Sequence, residues 1–309
     1  MRRADRAVSF AAKAFTCVIL VGSGAACARH ITPVVVAPVV ITPVPPTMEI
    51  ASAFIPIAAN VRDARYQVRS IARVTSDSAG RPIEHRIETS GMVTIALQRS
   101  ADGAFRGSGR VDSFTVQMPS ASSSMSPSTV ASDAVHLDSV FFDAILDATN
   151  LRVVTRPLLA NECDRSETSA TALARELLLR IPRSVQVRSQ WVDSTIAFVC
   201  RSSVPIAVRT VNSYTVERID NGASNAMVLV RRAFTVRMDG KLVSPWRPLE
   251  VSGVGTGAQR VIIDAVRGAV QSLDGTSTIT LQLNDRSRPN GARTQRVVQQ
   301  VELKIERRP

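Results

Sequence analysis

The chain has 309 residues, of which 45% are hydrophobic, 21% charged and only 4% aromatic, and its formal net charge is +12. That balance supplies a sizeable apolar core and excludes wholesale disorder; four Cys and three His exclude a zinc-finger array or a dense disulfide scaffold. Beyond the first thirty residues no apolar run reaches the ~18 residues of a membrane-spanning helix, and neither basic clusters nor stacking aromatics mark a nucleic-acid surface.

Taken in chain order, residues 1–26 read as a signal peptide. Arg2, Arg3 and Arg6 form the basic region, residues 14–21 (AFTCVILV) the apolar region, and Gly22 to Ala26 the small-residue region. Gly24-Ala25-Ala26-Cys27 has the layout of a bacterial lipobox, with Gly24 where a Leu is usual, and makes Cys27 the expected lipidation site. The alternative is ordinary cleavage after Ala26 or Ala28, which would release a soluble protein. With no Asp beside Cys27, the expected destination is the outer membrane, facing the periplasm. Residues 29–47 carry five Pro and no acid, so they favour polyproline II. Nineteen residues at ~3.1 Å each make a tether of roughly 60 Å. Loss of residues 1–26 leaves a net charge of about +9.

From residue 48 to 309 the pattern is that of a single β-rich domain. Strands are expected at 66–74, 83–98, 105–118 and 134–146, with turns at Asp77 to Gly80, Asp102-Gly103 and Asp147 to Asn150. Residues 119–133 form a Ser-rich loop. A helix is expected over 166–181, with a stripe of Ala170, Leu173, Ala174, Leu177, Leu178 and Ile181 that ends before Pro182. Further strands are expected at 204–219, 226–238, 247–254, 258–266, 277–284 and 294–306. Asp220-Asn221-Gly222, Asp239-Gly240, Asp274-Gly275 and Asn290-Gly291 read as turns between them. The expected fold is therefore mainly β: a large antiparallel curved sheet, half-barrel or barrel-like, of about ten strands with one amphipathic helix. A faint internal echo relates 60–160 to 204–306: Phe114 to Met118 resembles Phe234 to Met238, and Tyr66 answers Tyr214.

A sheet of ten strands is roughly 48 Å wide, and one helix covers only ~10 Å of it. The remaining apolar face must close on itself around a filled core or curl around a cavity. In the second case the helix is a lid, and Leu173, Leu177, Leu178, Ile181 and Trp191 line the ligand cavity. Cys163 and Cys200 are expected to pair as a disulfide in an oxidising compartment, closing a loop worth roughly 4 kcal/mol; two buried thiols are the alternative. The scattered Arg residues read as solvated outer faces, with attraction to lipid headgroups the weaker alternative.

Other constellations are unspecific. Gly253-Val254-Gly255-Thr256-Gly257 lacks phosphate-loop spacing and reads as a turn or bulge. His85, near Glu84 and Glu88, reads as a surface residue, so no metal is expected. His136 with Asp138 would need an anchored Ser to serve a hydrolase, and no GxSxG elbow is present. No catalytic residue and no cofactor is expected. Trp191 and Trp246 read as core anchors ahead of ligand platforms.

The terminal Cys27, the Pro-rich stalk, and Gln190-Trp191-Val192-Asp193-Ser194-Thr195 followed by Cys200 resemble segments of uncharacterised bacterial envelope lipoproteins. The architecture is similar to Lol-type lipoprotein carriers, which hold acyl chains in a half-barrel. The resemblance implies an apolar ligand or acyl chain; it brings no catalytic residues. The competing expectation is an envelope interaction module with a filled core, whose partner is another envelope protein.

Overall fold

The computed structural model describes residues 53–78, 81–100, 104–118, 133–137, 140–147, 149–156, 165–201, 204–222, 225–242, 248–285 and 293–309. Cys27, the tether, the Ser-rich loop, Cys163 and Trp246 lie outside them, as do the side chains of His136 and Cys200. In chain order the elements are β1 (Ile55–Pro56), β2 (Asn60–Ser78), β3 (Arg81–Arg99), β4 (Phe105–Met118), β5 (Asp133–Leu137), β6 (Val140–Asp147) and β7 (Asn150–Arg156). Then come α1 (Arg165–Leu177), β8 (Ser184–Val185), β9 (Gln190–Arg201), β10 (Val204–Asn221), β11 (Ala226–Leu242), β12 (Leu249–Asp264), β13 (Ala269–Asp285) and β14 (Arg293–Arg308).

The sheet runs β3-β2-β14-β13-β12-β11-β10-β9-β7-β6-β4, and a long β3–β4 pairing joins its two ends. The result is a closed barrel of eleven strands. β5 and β6 lie end to end along β4, so together they fill one position. All neighbours are antiparallel except β7 and β9, which meet in parallel at one register pair, Asn150 with Ile196. The chain between those two strands contains α1, as a parallel crossover requires.

Alternation decides which way each strand faces. On β10, Val204, Ile206, Val208, Tyr214 and Val216 point into the lumen and are buried, whereas Arg209, Val211, Ser213 and Glu217 point out. On β11, Val228, Val230, Phe234, Val236 and Met238 point in, and Arg231, Thr235, Arg237 and Asp239 point out. Val and Ile dominate the inner phase because β-branched side chains suit a pleated surface that is buried on one side.

The helix lies inside the barrel. Its side chains reach β10 through Arg175, β11 and β12 through Glu176, and Leu178 just beyond it packs on Gly107 of β4. Ala170, Leu173, Ala174, Leu177, Leu178, Leu179 and Ile181 all join the larger apolar core. A second apolar layer, with Val74, Ile206, Phe234, Val236, Leu281 and Val297, fills the lumen at the other end. The helix end is closed by residues 55–58: β1 pairs with β8, and the Ala58 N–H donates to the Ala265 carbonyl at 2.9 Å.

Several expectations need correction. The helix stops at Leu177, four residues early, although the Leu178 N–H still donates to the Ala174 carbonyl at 2.9 Å. The strands expected at 247–254 and 258–266 are one strand, β12. Asp239-Gly240 and Asp274-Gly275 lie within β11 and β13 and not at turns, because those strands run to seventeen residues each. β7 and β9 are strands that the pattern did not suggest. The glycines of 253–257 form neither turn nor bulge: they sit in continuous register with β11 and β13. At Gly257 a Cβ would stand 2.2 Å from Phe234 Cζ, so the missing side chain makes room for a core aromatic. The echoed segments fall on β2 and β4 in one half but on the consecutive strands β10 and β11 in the other.

Candidate functional site

Between the two apolar layers lies a polar one, built from inward-facing positions of four strands and two adjacent helix residues. Arg232 of β11 is 1% exposed and holds its guanidinium against three partners. Its Nη1 donates to Glu176 Oε2 at 2.7 Å and to Gln259 Oε1 at 2.8 Å, and its Nε donates to Asn212 Oδ1 at 2.9 Å. Gln259 Nε2 donates to the same Glu176 oxygen at 2.9 Å. Asn212 Nδ2 donates to Asp193 Oδ1, and the Tyr214 hydroxyl donates to Asp193 Oδ2 at 3.1 Å. Arg175 Nη2 donates to Thr210 Oγ1 at 2.8 Å. Two guanidinium and two carboxyl groups thus meet in a largely buried layer, with Arg232 and Asp193 buried and Arg175 and Glu176 partly so, and each finds a hydrogen-bond partner there.

Electrostatics follows from this geometry. Burial works against ionisation of Glu176, but Arg232 and Arg175 outweigh it and hold its carboxyl below the ordinary value of 4.5. At Asp193 burial prevails and raises the carboxyl, against the opposing pull of its donors Asn212 and Tyr214 and of Arg232 and Arg180. Burial also raises the Tyr214 hydroxyl. Burial lowers the Arg175 guanidinium, which Glu176 partly offsets; burial also works against Arg232, but Glu176, Tyr214 and Asp193 together raise it.

A third guanidinium ties the closed end together. Arg99 donates to the carbonyls of Gly268 at 2.8 Å, Ala58 at 3.3 Å and Leu179 at 3.4 Å. It therefore links the N-terminal segment, the β12–β13 turn and the exit of the helix. Burial lowers it to about 10, and burial raises neighbouring Tyr66 to about 12. Gly268 has a φ of +63°, and a Cβ there would meet the Ala58 carbonyl oxygen at 2.0 Å, so the turn accepts no other residue without moving.

The sequence-derived residues fall into this frame as follows. Leu173, Leu177, Leu178 and Ile181 are together in the larger core. Trp191 is partly buried, stacks on Tyr214 with centroids 4.7 Å apart and 10° between planes, and donates from Nε1 to the Arg180 carbonyl at 3.0 Å. It anchors the helix exit to the wall. His85 is exposed on β3, and Glu88 pairs instead with Arg86 at 2.7 Å. Clefts of about 560 and 600 Å³ lie along the wall formed by β3, β4 and β6. The first is bordered by outward residues such as Thr94, Ser108, Arg110 and Phe141.

The polar layer escaped the sequence reading because its Arg was counted among solvated ones. The available signal was phase: Arg232 shares its parity with Val228, Val230, Phe234 and Val236.

The outer face carries Arg73, Arg209, Arg231, Arg237, Glu302 and Lys304 in mid-strand, several as ion pairs such as Arg73–Glu302 and Arg237–Asp239. A membrane-spanning barrel needs an apolar outer band there, with polar groups inside. This barrel has the inverse arrangement.

No protein-family profile matches the chain, and no curated protein matches it in sequence. Among solved structures, a crystal structure of an outer membrane channel from Pseudomonas putida F1 is similar over 84% of this chain and 99% of that one. The identity is 12% and the TM-score 0.24, a likeness that carries no functional argument.

Proposed function

We propose that the chain is a cell-envelope protein, tethered through Cys27 to the outer membrane and facing the periplasm, whose filled barrel is an interaction module. The observation that supports this most is the pairing of a charged outer wall with a lumen occupied by α1. Among the described residues, charged groups stand where a lipid-facing band would lie, and α1 stands where a cavity would lie. An acyl ligand would have to displace Leu173, Leu177, Leu178 and Ile181 from the core, so carriage of an apolar molecule is the less favoured reading.

The test is expression of the full chain in a bacterium with two membranes, fed labelled palmitate, followed by fractionation and solvent extraction of the purified protein. The wild type is expected to carry the label and to sediment with membranes. Cys27→Ala is expected to lose the label and appear in the soluble periplasmic fraction with no extractable lipid. A wild type without label overturns the anchor. A lipid recovered reproducibly from Cys27→Ala would replace the interaction module with a carrier.

A further inference from the structure

Among the described residues the wall is incomplete beside β5, which pairs only with β4, and at the seam between β7 and β9. β7 is paired along its whole length with β6, and β9 along its whole length with β10. Toward each other, among the described residues, they share only the Asn150–Ile196 pair, with the Ile196 N–H donating to the Thr149 carbonyl at 2.7 Å. Past that bridge both strands run on, β7 to Arg156 and β9 to Arg201, with no ladder between them. Behind the seam stands α1, whose backbone is satisfied internally and cannot complete a sheet. Strand edges left open are pairing templates, and proteins normally guard them with charged side chains, Pro or bulges. Past the bridge the outward residue of β9 whose side chain is described is Phe198; before it Val192, Ser194 and Ile196 continue the same outward row, without one charge. Phe198 is 65% exposed and Val192, four residues before the bridge, 69%; among the described residues these are the two most exposed large apolar side chains.

Charge flanks this apolar strip. Two residues past the bridge on β7 stands Arg152, and across the neighbouring strands Arg152, Ile145 and Arg106 form a row. On the far side, Arg209 of β10 is the register partner of Ile196. None of these three arginines has an ion-pair partner among the described residues, unlike Arg73, Arg231 and Arg237 elsewhere on the wall. The carboxylate at the closed end of the seam is Asp147, beside Asn150.

We propose that the seam between β7 and β9 binds an extended peptide strand of a partner protein, which pairs with the free edge of β9 and turns carboxylate side chains outward between Arg152 and Arg209. Backbone pairing supplies the affinity of such strand addition, and alternate side chains supply its specificity. The proposal rests on the interaction-module reading and names its surface and partner class.

The test uses the full chain carrying Cys27→Ala and two capped nonapeptides, one alternating Val with Glu and the other Val with Lys. Hydrogen exchange is followed at the amides of residues 151–155 and 197–199. Without peptide, the seam-facing amides are expected to exchange freely. The Val/Glu peptide should slow them at least tenfold at a concentration where the Val/Lys peptide does not. The exposed double substitution Arg152→Glu with Arg209→Glu should reverse that preference. Seam amides already protected in the free chain, or equal or absent protection by the two peptides, would overturn the proposal. Its failure is separable from that of the envelope reading, which rests on labelling at Cys27.

Discussion

Arg232 occupies a position where β11 would otherwise place an aliphatic side chain, and its surroundings make it expensive to remove. Its head group bridges Glu176, Gln259 and Asn212, and its guanidinium lies 5.0 Å from the Phe234 ring centroid. Breaking a buried pair by removing one partner leaves the other charge uncompensated and typically costs about 3–5 kcal/mol. Arg232→Met should therefore lose about that much in urea denaturation, and adding Glu176→Met should recover most of it. The deficit should also depend on pH. Glu176 has its folded value below the ordinary 4.5, so its stabilising contribution is present above 4.5 and is lost as pH falls through the folded value. Arg232 also draws the raised carboxyl of Asp193 downward, so its loss hurts both ionised groups. The gap between variant and wild type should be widest near neutral pH and narrow as pH falls through the carboxylate range. A constant gap would show that the guanidinium acts through packing and not through charge.

At the scale of elements, β12 shows why a motif can mislead. Its alternating glycines look like a flexible loop, yet a Cβ at Gly253 would meet Leu281 Cδ2 at 2.2 Å, and one at Gly257 would meet the Phe234 ring at the same distance. The glycines mark places where large side chains from adjacent strands cross β12. Gly257→Ala should thus destabilise by about 1–3 kcal/mol through overpacking, and Phe234→Leu in the same chain should offset part of that loss. An additive pair of effects in thermal unfolding would refute the contact. This contact also shows the limit of sequence reading. Alternation made β2, β3, β4, β10, β11 and β14 legible, and the stripe from Ala170 to Ile181 made the helix legible, because periodicity is a local property. Closure was legible only as one of two alternatives: the choice depends on β3 meeting β4 while β2 also meets β14, and on a parallel contact at Ile196, all set by pairing between distant segments. The polar layer was legible only in the phase of Arg232; its partners were not, for the same reason. Glu176, Arg232 and Gln259 each resemble a surface residue until the barrel closes around them.

At the scale of the whole molecule the question is whether α1 is a detachable lid or part of the core. A lid would open with little disturbance of the strands. The geometry argues for integration: the helix is gripped by Arg232 and Gln259 at Glu176, by Thr210 at Arg175, and by Trp191 at the Arg180 carbonyl just beyond it. Opening would wet an apolar lumen and strand the Arg232 guanidinium without its carboxylate, two costs that act together. Trp191 reports on this junction, because it stacks on Tyr214 of the wall while holding the helix exit. With Trp246→Phe removing the other indole, Trp191 fluorescence and far-ultraviolet circular dichroism should follow one coincident transition in denaturant, as expected of a single cooperative unit. An earlier fluorescence transition, with the strand signal intact, would mean that the helix leaves an otherwise stable barrel. That outcome would favour an apolar ligand in its place and count against the filled module.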